Sequence, residues 1–217
     1  MSIDVIVTML LWGALTSLMI FCFTLIGSLP LGLLVSLGRM SKFAPLRWLM
    51  RFYISVMRGT PLILQLFVVY FGPFLIFGIS MGQDYRFTAT LIAFILNYAA
   101  YFGEIYRSGI ESIPRGQLEA AAVLGYSRSQ TFVRIIFPQV IKRIIPPLTN
   151  EIITLVKDTA LAFTLGVAEM FTQARAIVSS QGNLIAFLIA GVFYYIFNAF
   201  VAFIMERVEK AFAYYHE

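Results

Sequence analysis

The sequence predicts an all-α integral membrane protein with five transmembrane helices and a helical loop on the cytoplasmic side. Three observations predict it. Of 217 residues, 60% are hydrophobic and only 12% are charged, where a soluble domain carries about a quarter. The apolar residues fall in runs near the roughly 20 residues that a span needs. Cationic residues gather in alternate connections between those runs. Too few polar residues remain to face water around a soluble fold, so the chain reads as one transmembrane domain, residues 1–217.

The spans follow in order. Val5 to Gly38 is uncharged and long enough to cross with tilt; Gly59 to Gln83, also uncharged, is the second. Phe87 to Tyr106 is broken only by Glu104, and Ile144 to Ala168 by Glu151, Lys157 and Asp158. Leu184 to Met205 is clean. The first connection carries Arg39, Lys42, Arg47 and Arg51 without an acid. The long connection, about 107–143, has six bases (Arg107, Arg115, Arg128, Arg134, Lys142, Arg143) against Glu111 and Glu119. "GQDYR" has one charge of each sign, and only Glu169 and Arg175 separate the last two spans. The excess of cations on alternate connections sets the N-terminus outside and the C-terminus in the cytoplasm. The net charge of +5 is thus a topology signal and not a nucleic-acid footprint. "MSIDVIVTML" lacks the basic start of a cleaved signal, so the first span stays. An odd number of spans leaves no inverted pair within one chain, which places a pathway between subunits.

The single cysteine, Cys22, reads as a small core residue. Gly27 and Gly32 near Pro30, and Ala199 and Ala202, read as helix-packing positions. No metal site is apparent, and no nucleophile–base set argues for catalysis. The lone His216 sits in the terminal tail and reads as solvent-exposed. No G-x-x-x-x-G-K-[ST] occurs, so the chain has no phosphate loop for ATP.

The long connection has local structure of its own. "QLEAAAVL" favours helix, Gly125 stands where a helix ends, and Ser127 with Gln130 forms a capping box for a second helix. "TFVRII" continues that helix and Pro138 closes it. Ala120 and Ala121 give the first helix a small-residue surface. Composition alone would equally allow a hairpin lying on lipid headgroups.

Glu119-Ala120-Ala121, Gly125, Ile135 and Pro138 together resemble the EAA signature of the membrane subunits of ATP-binding-cassette importers. The one departure is Phe137, where that family usually has leucine. "RGTPLILQLF", "GEIYRSGIESIPRGQLEAAAVLG" and "VKDTALAF" are similar to the polar amino-acid permease branch. The resemblance runs from about Gly13 to the C-terminus. It implies that Glu119, Ala120, Ala121 and Gly125 couple the chain to an ATPase. It also implies two cytoplasmic ATPase subunits holding ATP and Mg, and a second, identical or similar, permease subunit. An extracellular or periplasmic solute-binding protein, alternating access and a bacterial inner membrane complete the implication.

Charges inside spans are costly and usually functional. Asn97, Tyr101 and Glu104 share one helical face, as do Glu151, Thr154 and Asp158, while Lys157 is turned about 100° from Asp158. A helix starting at Thr60 with Pro61 in its first position would offer free N–H groups to a carboxylate, beside Met57 and Gly59. Glu104 and Asp158 would accept an ammonium. Candidate substrate residues are therefore Asp158, Glu104, Asn97, Thr60, Gly59, Met57 and Lys157, with Asp158 foremost. Other readings stand beside these. Glu104 pairs with Arg58 or Arg107, Lys157 balances Glu151, and Asn97 bonds helix to helix. Tyr98, Tyr101 and Tyr106 belong to an interfacial belt, and Tyr194 and Tyr195 pack. Three acids against two bases (Arg58, Lys157) lean toward a basic amino acid such as arginine, lysine or histidine. A proton-coupled secondary transporter, or a channel or scaffold, is the rival reading.

Overall fold

The computed structural model describes residues 2–182 and 184–212, so His216 lies outside the described residues. Among the described residues there is no strand. The elements are α1 (Ile3–Arg39), α2 (Ala44–Gly59), α3 (Leu62–Phe77), α4 (Tyr85–Glu111), α5 (Arg115–Val123), α6 (Arg128–Thr131), a π-helical turn (Phe132–Ile136), α7 (Phe137–Asp158), a 3-10 segment (Thr159–Leu165), α8 (Met170–Gln181) and α9 (Ile185–Phe212).

Three helices, α1, α4 and α9, are long and apolar enough to cross a membrane. The predicted second span is different. It begins at Leu62, after α2, and α2 and α3 bend by 112° at their junction. The two together make at most one further, broken span. The predicted fourth span is shared between the end of α7 and the 3-10 segment. It carries Glu151, Lys157 and Asp158, and does not qualify by length and composition.

The core forms where α1 and α4 lie against each other. Phe94, Tyr98 and Phe102 are fully enclosed among Ile20, Leu66, Leu155 and Val156. Glycine permits this approach: a Cβ at Gly32 would stand 2.9 Å from the Cβ of Phe102 and one at Gly27 2.7 Å from Ile95. Small residues do here what they do at membrane helix interfaces generally, letting backbones close in.

Several expectations change. Cys22 is exposed, because lipid tails accept an apolar side chain as readily as the interior does. Ala199 is exposed and Tyr195 is 75% exposed, so neither packs within the chain, whereas Tyr194 does. Pro138 does not close its helix. It sits in the first turn of α7, and the preceding turn widens so that the Phe137 N–H bonds to Phe132 five residues back. Widening relieves the clash between a proline ring and the carbonyl four residues earlier, and the Gln139 amide returns to the Ile135 carbonyl at 2.8 Å. Helical turns therefore run without a break from Arg128 to Asp158.

Candidate functional site

The junction between α2 and α3 is held by side chains. Thr60 follows the last residue of α2, and Pro61, not Thr60, occupies the cap of α3. The Thr60 hydroxyl donates back to the Val56 carbonyl at 2.8 Å. The hydroxyl thus belongs to the end of α2, and it makes no bond to an N–H of α3 among the described residues. Gln65 closes the end of α2: its amide donates to the Met57 carbonyl at 3.0 Å, the Thr60 carbonyl at 3.2 Å and the Thr60 hydroxyl at 2.9 Å. Asn97, almost fully buried on α4, donates to the Met57 carbonyl and to the Gln65 side-chain oxygen, both at 3.0 Å. The network satisfies carbonyls that the break would otherwise leave bare. Gly59 is the last residue of α2 and no atom lies where its Cβ would be.

The acids separate. Glu104 is clasped by Arg107, three residues on, through both carboxylate oxygens, and Arg107 also reaches Glu111. Asp158, at the end of α7, accepts a hydrogen bond of 2.7 Å from the Tyr98 hydroxyl. Glu151 is half-buried and takes part in none of the ion pairs among the described residues. Lys157 is exposed and likewise outside them. Glu151 and Asp158 are two turns apart, about 10 Å along a helix.

Glu151 faces a cleft of about 450 Å³ with Arg58, Tyr101, Glu104, Ser108, Ser112 and Arg143 on its walls. The Arg58 guanidinium lies over the Tyr101 ring, 5.2 Å from its centre. Arg143 donates to the Ser112 carbonyl and hydroxyl, tying α7 to the end of α4. The cleft thus carries a guanidinium and a carboxylate that are not paired with each other. Neither Asp158 nor Asn97 lines it.

The connection after α4 has the anticipated caps. α5 ends in a Schellman turn, with Tyr126 N–H on the Ala121 carbonyl, Gly125 N–H on Ala122, and Gly125 at φ +77°. Ser127 and Gln130 exchange both bonds of the capping box. Ala121 is buried beneath the helix, while Glu119 and Ala120 are exposed. Leu118, Val123 and Leu124 are exposed too, Val123 by 88%.

Sequence reasoning missed two groups. Gln65 interrupts an apolar run in "PLILQLF", a polar residue in a span that needed a partner. Glu169, read as belonging to a neutral connection, is fully buried. It caps α8 by accepting from the N–H groups of Phe171 (2.7 Å) and Thr172 (2.6 Å), the Thr172 hydroxyl (2.8 Å) and the Tyr194 hydroxyl (3.0 Å). With the Ser17 hydroxyl at 3.5 Å, five donors make a buried carboxylate tolerable without a cation. The signal was its place as an acid just before a helical stretch.

The described residues combine a bent helix pair with its carbonyls captured, a cleft lined by charges of both signs and an exposed apolar elbow. The chain belongs to the family of binding-protein-dependent transport system inner membrane components, whose pattern matches residues 28–214. Its relatives include the arginine transport system permease protein ArtQ of Bacillus subtilis (strain 168), 39% identical over 93% of this chain and 91% of that one. The L-cystine transport system permease protein TcyB of the same organism is 38% identical over 83% and 76%. A putative glutamine transport system permease protein GlnP of Rickettsia conorii (strain ATCC VR-613 / Malish 7) is 35% identical over 91% and 90%. Among solved structures, an amino acid ABC transporter crystallised with histidines superposes with a TM-score of 0.85 at 30% identity, covering 94% of each chain. One of the inward-facing MetNI methionine ABC transporter structures shares the fold, at a TM-score of 0.71 and 20% identity, over 98% of this chain and all of that one. The chain is an amino-acid-type permease subunit of an ATP-binding-cassette importer.

Proposed function

We propose that the chain, with a second permease subunit, lines the path of an amino acid and moves it by alternating access, driven by ATP and Mg held on two partner ATPase subunits and supplied by a solute-binding protein on the opposite face. The observation that carries the reading is the cleft itself. Arg58 and Glu151 line one space of about 450 Å³ and neither is in an ion pair among the described residues. A guanidinium grips a carboxylate and a carboxylate accepts an ammonium; an amino acid presents one of each. This pair takes over the roles first given to the helix start at Thr60 and to Glu104. Asp158, with Tyr98, is a second station further along α7.

Two features support coupling. The exposed apolar elbow of α5, with Glu119, Ala120 and Ala121, offers a surface for an ATPase groove. The second arm of the elbow is continuous with the helix bearing Glu151 and Asp158. A proton-driven carrier needs no such arm. For the solute, a polar amino acid is favoured and a basic one first among them. Glu151 and Asp158 enter no ion pair among the described residues, and one relative at 39% identity is named for arginine. Relatives named for cystine and glutamine stand at 38% and 35%, so similarity alone does not choose.

The reconstituted permease–ATPase complex with its binding protein provides the test. Glu151→Gln and Arg58→Gln should each lower ATP-driven arginine uptake at least tenfold while the complex still assembles. Uptake at the wild-type rate in both variants, or uptake driven by a proton gradient without ATPase, refutes the reading. Neutral or acidic amino acids competing as well as arginine would remove the basic preference alone.

A further inference from the structure

α2 is a helix with three faces. At about 100° per residue, Arg47, Arg51 and Arg58 form one stripe, and Trp48, Leu49, Phe52 and Val56 form the next. The third, with Met50, Tyr53, Ile54 and Met57, packs against Val35 of α1 and Ala100 of α4. The other two faces are open: Trp48 is 67% exposed and Phe52 is 56% exposed. The rings of Trp48 and Phe52 lie parallel, 5.9 Å apart. Arg39, from the end of α1, joins Ala44, Arg47, Trp48 and Arg51 around a cleft of about 260 Å³. No acid lines it. Among the described residues, Arg39, Arg47 and Arg51 enter no ion pair; Arg47 donates to the Ser41 carbonyl at 3.2 Å. Three guanidiniums lining one cleft, none in an ion pair among the described residues, offer a site for an anion.

We propose that this cleft binds the phosphate of an anionic phospholipid, held by Arg39, Arg47 and Arg51, with the Trp48–Phe52 pair lying along its glycerol and upper acyl region. Charge and shape both select that occupant. Guanidiniums match phosphate oxygens two at a time. Exposed tryptophan settles at headgroup depth, and a basic stripe beside an aromatic one is the pattern of a helix lying in the membrane interface. The 112° bend fits, since α2 does not continue the course of α3. The site has a consequence for transport. The far end of α2 carries Arg58 into the amino-acid cleft and the Met57 carbonyl into the bonds from Asn97 and Gln65. A lipid seated at the near end therefore fixes the angle at which Arg58 is presented.

Native mass spectrometry of the purified full chain measures retained phosphatidylglycerol against phosphatidylcholine. Wild type should retain phosphatidylglycerol at least fivefold better, and retention should fall with added salt. Arg47→Gln/Arg51→Gln should lose that preference, Arg47→Lys/Arg51→Lys should keep most of it, and Arg115→Gln/Arg128→Gln, an equal loss of charge elsewhere, should leave it intact. Equal retention of the two lipids by wild type, or undiminished preference in the glutamine variant, overturns the proposal. Displacement of the lipid by millimolar inorganic phosphate would assign the cleft to a free anion. Loss of self-association in place of lipid would assign the face to a second copy. Either result overturns the lipid assignment without touching the role of Glu151, which the uptake assay reads separately.

Discussion

Two of the joints marked by proline, at Pro61 and Pro138, behave oppositely. At Pro61 the helix breaks, the course turns by 112°, and the freed carbonyls are taken by Gln65 and Asn97. At Pro138 the helix widens for one turn and continues. Sequence around the proline explains the difference. Gly59 and Thr60 precede Pro61, a residue with weak helix preference and one that prefers its ends. Phe-Val-Arg-Ile-Ile-Phe precedes Pro138, with helix-permissive residues throughout and a capping box at its start. The lesson is functional. On the proposed function, the first joint is a corner beside the solute cleft, and the second is an arm that would carry motion from the elbow to the acids.

Breaking the corner should have the larger effect. Asn97→Leu removes two bonds from a buried site and leaves the Gln65 oxygen unmet, at a cost of about 1–3 kcal/mol. The expected outcome is a thermal midpoint lower by several degrees in detergent, together with slowed uptake. An unchanged midpoint would mean that the corner is held by packing alone. Disturbing the elbow should cost less globally and act elsewhere. Gly125→Val places a branched residue at φ +77°, at a cost of about 1–2 kcal/mol. No neighbouring atom lies within 4 Å of its Cβ position, so the bundle should keep its thermal midpoint while co-purification with the ATPase falls several-fold. A lowered midpoint with normal ATPase capture would reverse the assignment of that loop.

The elbow was legible because caps are local. Gly125, Ser127 and Gln130 announce helix ends within four residues, and the structure has each bond they promise. The corner was not, because its meaning lies between helices: Thr60 looks like a cap, yet Pro61 holds that position and Thr60 closes the end of α2 with Gln65. α2 was taken for a basic loop, since Arg47 and Arg51 one turn apart look the same on a solvated loop and on an interfacial helix. Glu104 could be assigned to Arg107 from spacing alone, and that alternative is the one the structure takes. Glu169 was the hardest. Its donors come from its own helix start, from Tyr194 and from Ser17, and nothing in a neutral connection says that it is enclosed.

The claim that the elbow's second arm and the acid-bearing helix move as one body is tested most directly by spin-label distances in the reconstituted complex. Labels at Ser129 and Lys157, both exposed, go into a chain with Cys22→Ser, diluted with unlabelled chain. At about 1.5 Å per residue they are roughly 40 Å apart. The account predicts that this distance stays within about 2 Å between resting and ATP-bound states, a bound little above the roughly 1.5 Å rise of one helical residue, while a second pair, Ser129 and Leu75 on α3, shifts by more than that. A change along the arm as large as the change across the molecule would contradict it.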